Sequence, residues 1–180
     1  FLRPRARGAS LREEWRKAAL AVCDAAERFS DTRTGALMVF EKRSNLSEII
    51  KTGTVLDSEV TQEMLGTIFY VGTPLHDGAA ILRDGRIAAA GCVLPLSDNL
   101  EMGKDMGTRH RAALGMSENS DAVVVVVSEE TGIISLAKNG VLIRRLDRQT
   151  LFSLLEGDVV PPAEEEKKQP FWSFWRKKHE

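Results

Sequence analysis

The sequence predicts a single α/β or α+β domain, a mixed sheet with helices packed on it, and three features carry that reading. Apolar residues recur at helical spacing near the amino end, two turn dipeptides sit between apolar runs, and residues 121–127 form a continuous valine-rich segment. Strands interleaved with helices bury their apolar faces against one another in layers. With 180 residues, 43% of them apolar and 28% charged, the chain is long enough for one domain with a hydrophobic core and short for two.

The elements follow in order. Ser10 with Glu13 is a capping-box signal, and Leu11, Trp15, Ala18, Val22, Ala25 and Phe29 then recur on one helical face. This predicts an amphipathic helix over residues 11–28. Residues 35–41 (Gly-Ala-Leu-Met-Val-Phe-Glu) read as a short buried strand. Two helical stretches are expected next, residues 46–51 stopped by Gly53 and residues 58–69 capped by Asp57. Residues 80–83 and 86–94 flank Asp84-Gly85, and residues 133–138 and 141–145 flank Asn139-Gly140. Both dipeptides supply the positive φ angles of a type I′ hairpin. Between the hairpins lie a helix over residues 108–116 and the valine strand, whose lack of polar alternation implies cover on both faces. A last helix, residues 148–155, is capped by Asp147. The reading divides the chain into a basic leader (1–9), a folded unit (10–156) and a tail (157–180). The tail carries prolines, an acidic triplet and then Phe171, Trp172, Phe174 and Trp175 beside cations.

Charge narrows the function. With 25 basic against 26 acidic residues the net charge is -1, which argues against extended contact with a nucleic-acid backbone but leaves room for a compact polyanion on a local cation cluster. Cys23 and Cys92 have no metal-ligand spacing and read as buried free thiols. No apolar run approaches the ~20 residues that cross a bilayer. The opening Phe1 and the Arg3, Arg5 and Arg7 series suit a segment cut from behind a membrane anchor, and a plain solvated terminus equally.

Three polar clusters interrupt the apolar pattern. His76-Asp77-Gly78-Ala79 precedes a strand. The glycine allows close backbone approach and the aspartate can bind a metal or polarise a hydroxyl, although the tetrapeptide alone also fits a plain turn. Gly107-Thr108-Arg109-His110-Arg111 opens a helix. Two arginines are badly placed against the positive end of the helix dipole, yet well placed around a phosphate held by free N–H groups and the Thr108 hydroxyl. Ser128-Glu129-Glu130 follows the valine strand, where ligands of open sheets collect and where two carboxylates can hold a cation or simply decorate a turn. No Walker loop or dinucleotide glycine fingerprint is present. The residues alone point to a phosphate site with candidate metal ligands, without naming a reaction.

In this order, Gly35-Ala36-Leu37-Met38, Asp77-Gly78-Ala79, Leu94-Pro95-Leu96-Ser97, Thr108-Arg109-His110-Arg111 and Ser128-Glu129-Glu130 resemble the motifs of the diadenylate cyclase family over roughly residues 28–155. The text around them, Thr73-Pro74-Leu75-His76 and residues 86–90, most resembles the membrane-anchored subfamily. The resemblance implies an α/β domain with a mixed, twisted central sheet flanked by helices. It also implies condensation of two ATP into cyclic di-AMP and two pyrophosphates by two facing protomers, with Mg2+ or Mn2+, at the cytoplasmic face of a membrane.

Carried over residue by residue, Asp77, Gly78, Arg109 and His110 would form the catalytic set. Thr108, Arg109, His110 and Arg111 would grip the triphosphate, with Ser128 and Glu129 completing the pocket. Asp77, His76 and Glu130 are the candidate metal ligands. Ala36 and Leu37 would wall the adenine, with Ala79, Val93 and the backbone around Leu94 beside it. Two departures stand out. Met38 replaces a usual isoleucine, and Val93 stands where related cyclases often carry a tyrosine stacked on adenine, a loss of ~1–3 kcal/mol of stacking. A non-catalytic ATP or cyclic di-AMP sensor and a phosphatase or kinase of small substrates are the alternatives.

Overall fold

The computed structural model describes residues 9–99, 103 and 106–163. Twelve elements follow one another: α1 (Ala9–Thr32), β1 (Ala36–Phe40), α2 (Ser47–Ile50), β2 (Thr54–Glu59), α3 (Gln62–Phe69), β3 (Ala79–Arg83), β4 (Arg86–Cys92), α4 (Thr108–Asn119), β5 (Val123–Val127), β6 (Ile134–Lys138), β7 (Val141–Ile143) and α5 (Arg148–Val159). The seven strands form one sheet in the order β2-β4-β3-β1-β5-β6-β7. β1 and β3 are parallel, and the other pairs are antiparallel. Residues 1–8 of the leader and the aromatic part of the tail, with Phe171 to Trp175, lie outside the described residues, while Ala9 already belongs to α1.

Strand alternation splits the core into two layers. Met38, Phe40, Ala80, Leu82, Val123, Val125 and Leu136 face α1, α3 and α5, where Trp15, Val22, Phe29, Leu65 and Leu155 meet them. Leu37, Val39, Ala79, Ile81, Val124 and Val126 face the other way, toward Ile50, Ala112, Ala113 and Met116 of α2 and α4. All five valines of β5 are buried, as the lack of polar alternation predicts. Aromatic contacts reinforce the first layer: Trp15 and Phe40 lie 6.0 Å apart, and Phe29 meets Phe69 edge-on at 5.8 Å. Both hairpins form with positive φ at Asp84, Gly85, Asn139 and Gly140.

One expected element is overturned. Residues 58–69 do not form one helix capped by Asp57; Thr54–Glu59 is a strand on the outer edge of β4, and the helix starts at Gln62. Asp57 instead occupies positive φ at a register shift, accepting from Arg86 Nε at 2.8 Å. Thr61 is the true cap, its side chain accepting from Met64 N at 3.0 Å. Ladder hydrogen bonds to β4 outweigh the local capping preference of Asp57-Ser58. Three helices also run past their expected ends. α1 begins at Ala9, so Ser10 lies inside its first turn, while α4 reaches Asn119 and α5 continues through Gly157 to a buried Val159. At α5, Asp147 is the expected cap, accepting from Thr150 N at 2.7 Å.

Candidate functional site

The strand directions bring the three polar clusters to one end of the sheet. β3 starts there, just after Asp77 and Gly78, and β1, parallel to it, starts there too. β4 and β5 run the opposite way and end there, delivering Val93 and Leu94 from one and Ser128 from the other. α4 opens over this edge. A cavity of about 560 Å3 results, lined by Leu37, Asp77, Gly78 and residues of the β4 exit, the α4 amino end and the 128–130 turn. Small-molecule sites fall in the same range, ~300–1,000 Å3.

The amino end of α4 supplies the positive pole. Gly107 is its N-cap and makes no side-chain capping bond, so among the described residues no capping side chain covers the first N–H groups at the cavity edge. Helical side chains lean toward the amino end, which aims Arg109 at the same place. Its Nη1 lies 3.3 Å from Glu129 Oε1 across the site. His110 is buried and lines the cavity, as does the exposed Thr108. Ser128 shapes the opposite wall: its Oγ accepts from Glu130 N and Thr131 N, each at 3.2 Å, closing the turn and leaving the hydroxyl hydrogen to donate elsewhere. Arg33 Nη1 donates to Glu130 O at 2.6 Å, which ties this turn to the end of α1.

Asp77 is open to solvent, its side chain 87% exposed. Beside it His76 Nδ1 donates to Thr73 O at 2.7 Å. Its Nε2 lies 3.4 Å from Asp77 Oδ1. A carboxylate and an imidazole nitrogen this close would be able to share a divalent cation. The expected third ligand, Glu130, does not join them: among the described residues no three His, Cys, Asp or Glu side chains converge. The glycine after the aspartate lines the cavity, and its lack of a side chain also serves packing. Gly78 has φ +93, and a Cβ there would lie 2.6 Å from Cys92 O, so glycine lets the Asp77 loop press onto β4.

Four expected residues lie outside the lining. Ala36 belongs to the opposite core layer, because neighbours on a strand point to opposite faces, and Leu37 alone faces the cavity. Ala79 is fully buried in the sheet opposite Cys92. His76 is half-buried beside Asp77 without lining the cavity. Arg111 lies two positions from Arg109 on α4, hence on another face of the helix, and its Nε donates to Ser97 O at 3.2 Å while Ser97 N donates back to Arg111 O at 3.0 Å. It holds the 95–99 segment against α4. Val93, 65% exposed, sits at the rim with its N–H donating to Thr52 Oγ1 at 2.8 Å.

The lining also includes Leu96 of the Leu94-Pro95-Leu96-Ser97 motif, and Cys92 and Ala112, which no local pattern marks. Burial pushes the Cys92 thiol up to about 11 and that of Cys23 to about 12, so neither is a nucleophile near neutral pH.

The fold and motifs agree with known proteins. Residues 23–142 match the family model described as DAC, DisA bacterial checkpoint controller nucleotide-binding. The chain is 43% identical over 151 residues to the cyclic di-AMP synthase CdaA of Bacillus subtilis, covering 84% of this chain and 55% of that protein. It is 42% identical over 144 residues to a diadenylate cyclase of Listeria monocytogenes, covering 80% and 52%. A crystal structure of a double-cysteine mutant of DacA from Staphylococcus aureus superimposes with TM-score 0.78 at 45% identity, covering 81% of this chain and 97% of that one. A structure titled as a hypothetical membrane spanning protein from Bacillus cereus gives TM-score 0.67 at 44% identity, covering 70% and 62%. The chain thus spans about half the length of the CdaA and Listeria proteins. On the family match and these identities, the chain belongs to the diadenylate cyclase family.

Proposed function

We propose that this domain binds one ATP and, facing a second copy of itself, condenses two ATP into cyclic di-AMP with release of two pyrophosphates. The observation that carries the reading is one cavity holding an open carboxylate, Asp77, across from a helix amino terminus armed with Arg109. A carboxylate beside a polyanion site is costly for a pure binder and useful where a hydroxyl must lose its proton.

The product's symmetry supports the pairing. Each new bond joins the 3′-oxygen of one ATP to the α-phosphorus of the other, and each bond broken frees a pyrophosphate. Two antiparallel nucleotides, one per cavity, meet that demand, and a single cavity supplies half of it. In each half, Leu37, Leu94 and Leu96 pack the apolar base, while the α4 N–H groups and Arg109 hold the phosphates and take up charge on the departing pyrophosphate. Ser128 donates its hydroxyl hydrogen to the same anion. Asp77 accepts the 3′-hydroxyl proton. Mg2+ or Mn2+, held by Asp77 with His76, would neutralise phosphate charge and acidify the hydroxyl. We place the activity at the cytoplasmic face of a membrane, a reading supported by the name of the Bacillus cereus neighbour.

Incubation with ATP and Mg2+ or Mn2+, followed by chromatographic product analysis, tests the proposal. Cyclic di-AMP with two pyrophosphates per molecule, formed at a specific activity that rises with protein concentration, is expected. ADP with phosphate, or ATP bound and unchanged, would replace it with a phosphatase, a kinase or a sensor.

A further inference from the structure

We propose that Gly35 is a positioning residue whose missing side chain seats the Arg109 guanidinium and so aims it at the phosphate end of the cavity. The inference rests on the nucleotide-binding reading of that cavity. Gly35 stands immediately before β1, and a Cβ built on it would lie 2.5 Å from Arg109 Cζ, 2.6 Å from Nη1 and 2.8 Å from Nε. Those are the three nearest heavy atoms, so the guanidinium occupies the volume any other residue's side chain would need.

Backbone conformation does not explain the glycine. The φ of Gly35 lies outside the left-handed region that Gly78, Gly85 and Gly132 occupy, so any L-residue could adopt its backbone. What the position demands is space. The planar guanidinium lies on the bare Cα at one side and faces Glu129 Oε1, 3.3 Å from Nη1, at another. A long side chain that would otherwise sample many rotamers is thereby held beside the uncapped α4 amino end before any ligand arrives, lowering the ordering cost on binding.

The colliding atoms belong to the far end of a flexible side chain. Gly35→Ala should therefore leave the fold intact and displace Arg109. The test is a double-substitution cycle, with Gly35→Ala, Arg109→Ala and the pair compared by calorimetric ATP titration and by thermal melting. Gly35→Ala should weaken ATP binding roughly tenfold or more, the scale of a lost hydrogen bond to a charged group, with an unchanged melting temperature. In the Arg109→Ala background the same alanine should cost nothing, because nothing remains to displace. Wild-type affinity in Gly35→Ala overturns the inference, as does an equal loss with or without Arg109. A melting temperature lowered by more than about 4 °C also overturns it, by placing the strain in β1. Absence of ATP binding by the unsubstituted chain overturns the nucleotide reading itself.

Discussion

Replacing Gly78 with alanine tests how the Asp77 loop is held. The residue has φ +93, and the new Cβ would lie 2.6 Å from Cys92 O, 2.9 Å from Gly91 C and 3.1 Å from Cys92 N. Holding a non-glycine residue in that backbone region costs about 1–3 kcal/mol. The contacts are with backbone of β4, which cannot swing aside, so overpacking adds roughly 1–3 kcal/mol. Together these give a destabilisation of roughly 2–6 kcal/mol, or a melting temperature lower by roughly 4–24 °C for a domain of this size. Relief by moving the loop away from β4 would carry Asp77 with it, so cyclase activity should fall further than unfolding at the assay temperature explains. Gly66 is the matched control. It lies within α3 with nothing within 4 Å of its would-be Cβ, so Gly66→Ala should raise stability by up to about 1 kcal/mol. Differential scanning calorimetry with a cyclic di-AMP assay reads both effects. A Gly78→Ala protein melting within about 2 °C of wild type, with undiminished turnover, would refute the close-packing account.

Three further outcomes are expected. Asp77→Asn should abolish cyclic di-AMP formation while leaving ATP binding largely intact, since volume is kept and the cations are untouched; near wild-type turnover would remove Asp77 from the chemistry. Arg109→Ala should weaken ATP binding by ~1.5–3 kcal/mol, whereas Arg111→Ala, bonded to Ser97 O, should mainly lower stability by ~0.5–1.5 kcal/mol, and equal affinity losses would contradict their separation. Glu41 accepts from Arg83 Nε and Nη2, each at 2.8 Å, and from Leu46 N at 2.9 Å; burial pushes its carboxyl up, but these bonds outweigh it and hold the carboxyl below its ordinary value. A depressed carboxyl stabilises the fold above its unfolded pKa of ~4.3 and loses that contribution as pH falls through the folded value. Glu41→Gln should thus destabilise the fold at pH 7 by about 1 kcal/mol or less, seen as a lower melting temperature, and the gap should close in acid. A gap independent of pH would refute the charge argument.

What the sequence determined by itself was whatever short-range physics controls. Asp84-Gly85 and Asn139-Gly140 set their turns through φ alone, Asp147 caps its helix by accepting from the N–H three residues downstream, and five consecutive valines announce a strand buried on both faces. The helical and strand periods also held information that motif reading passed over. Arg109 and Arg111, two apart on a helix, cannot share a face, and Ala36 and Leu37, adjacent on a strand, cannot wall one pocket. Tertiary structure decided the rest, because the deciding partner is distant in sequence. Thr54–Glu59 becomes a strand only because β4 offers an open edge. Gly78 is needed for the nearness of Cys92 O, and Gly35 for the Arg109 guanidinium, neither of which local sequence encodes. The cavity itself exists because β1 runs parallel to β3 and antiparallel to β5, so that two strand starts and two strand ends meet at one edge beneath the amino terminus of α4.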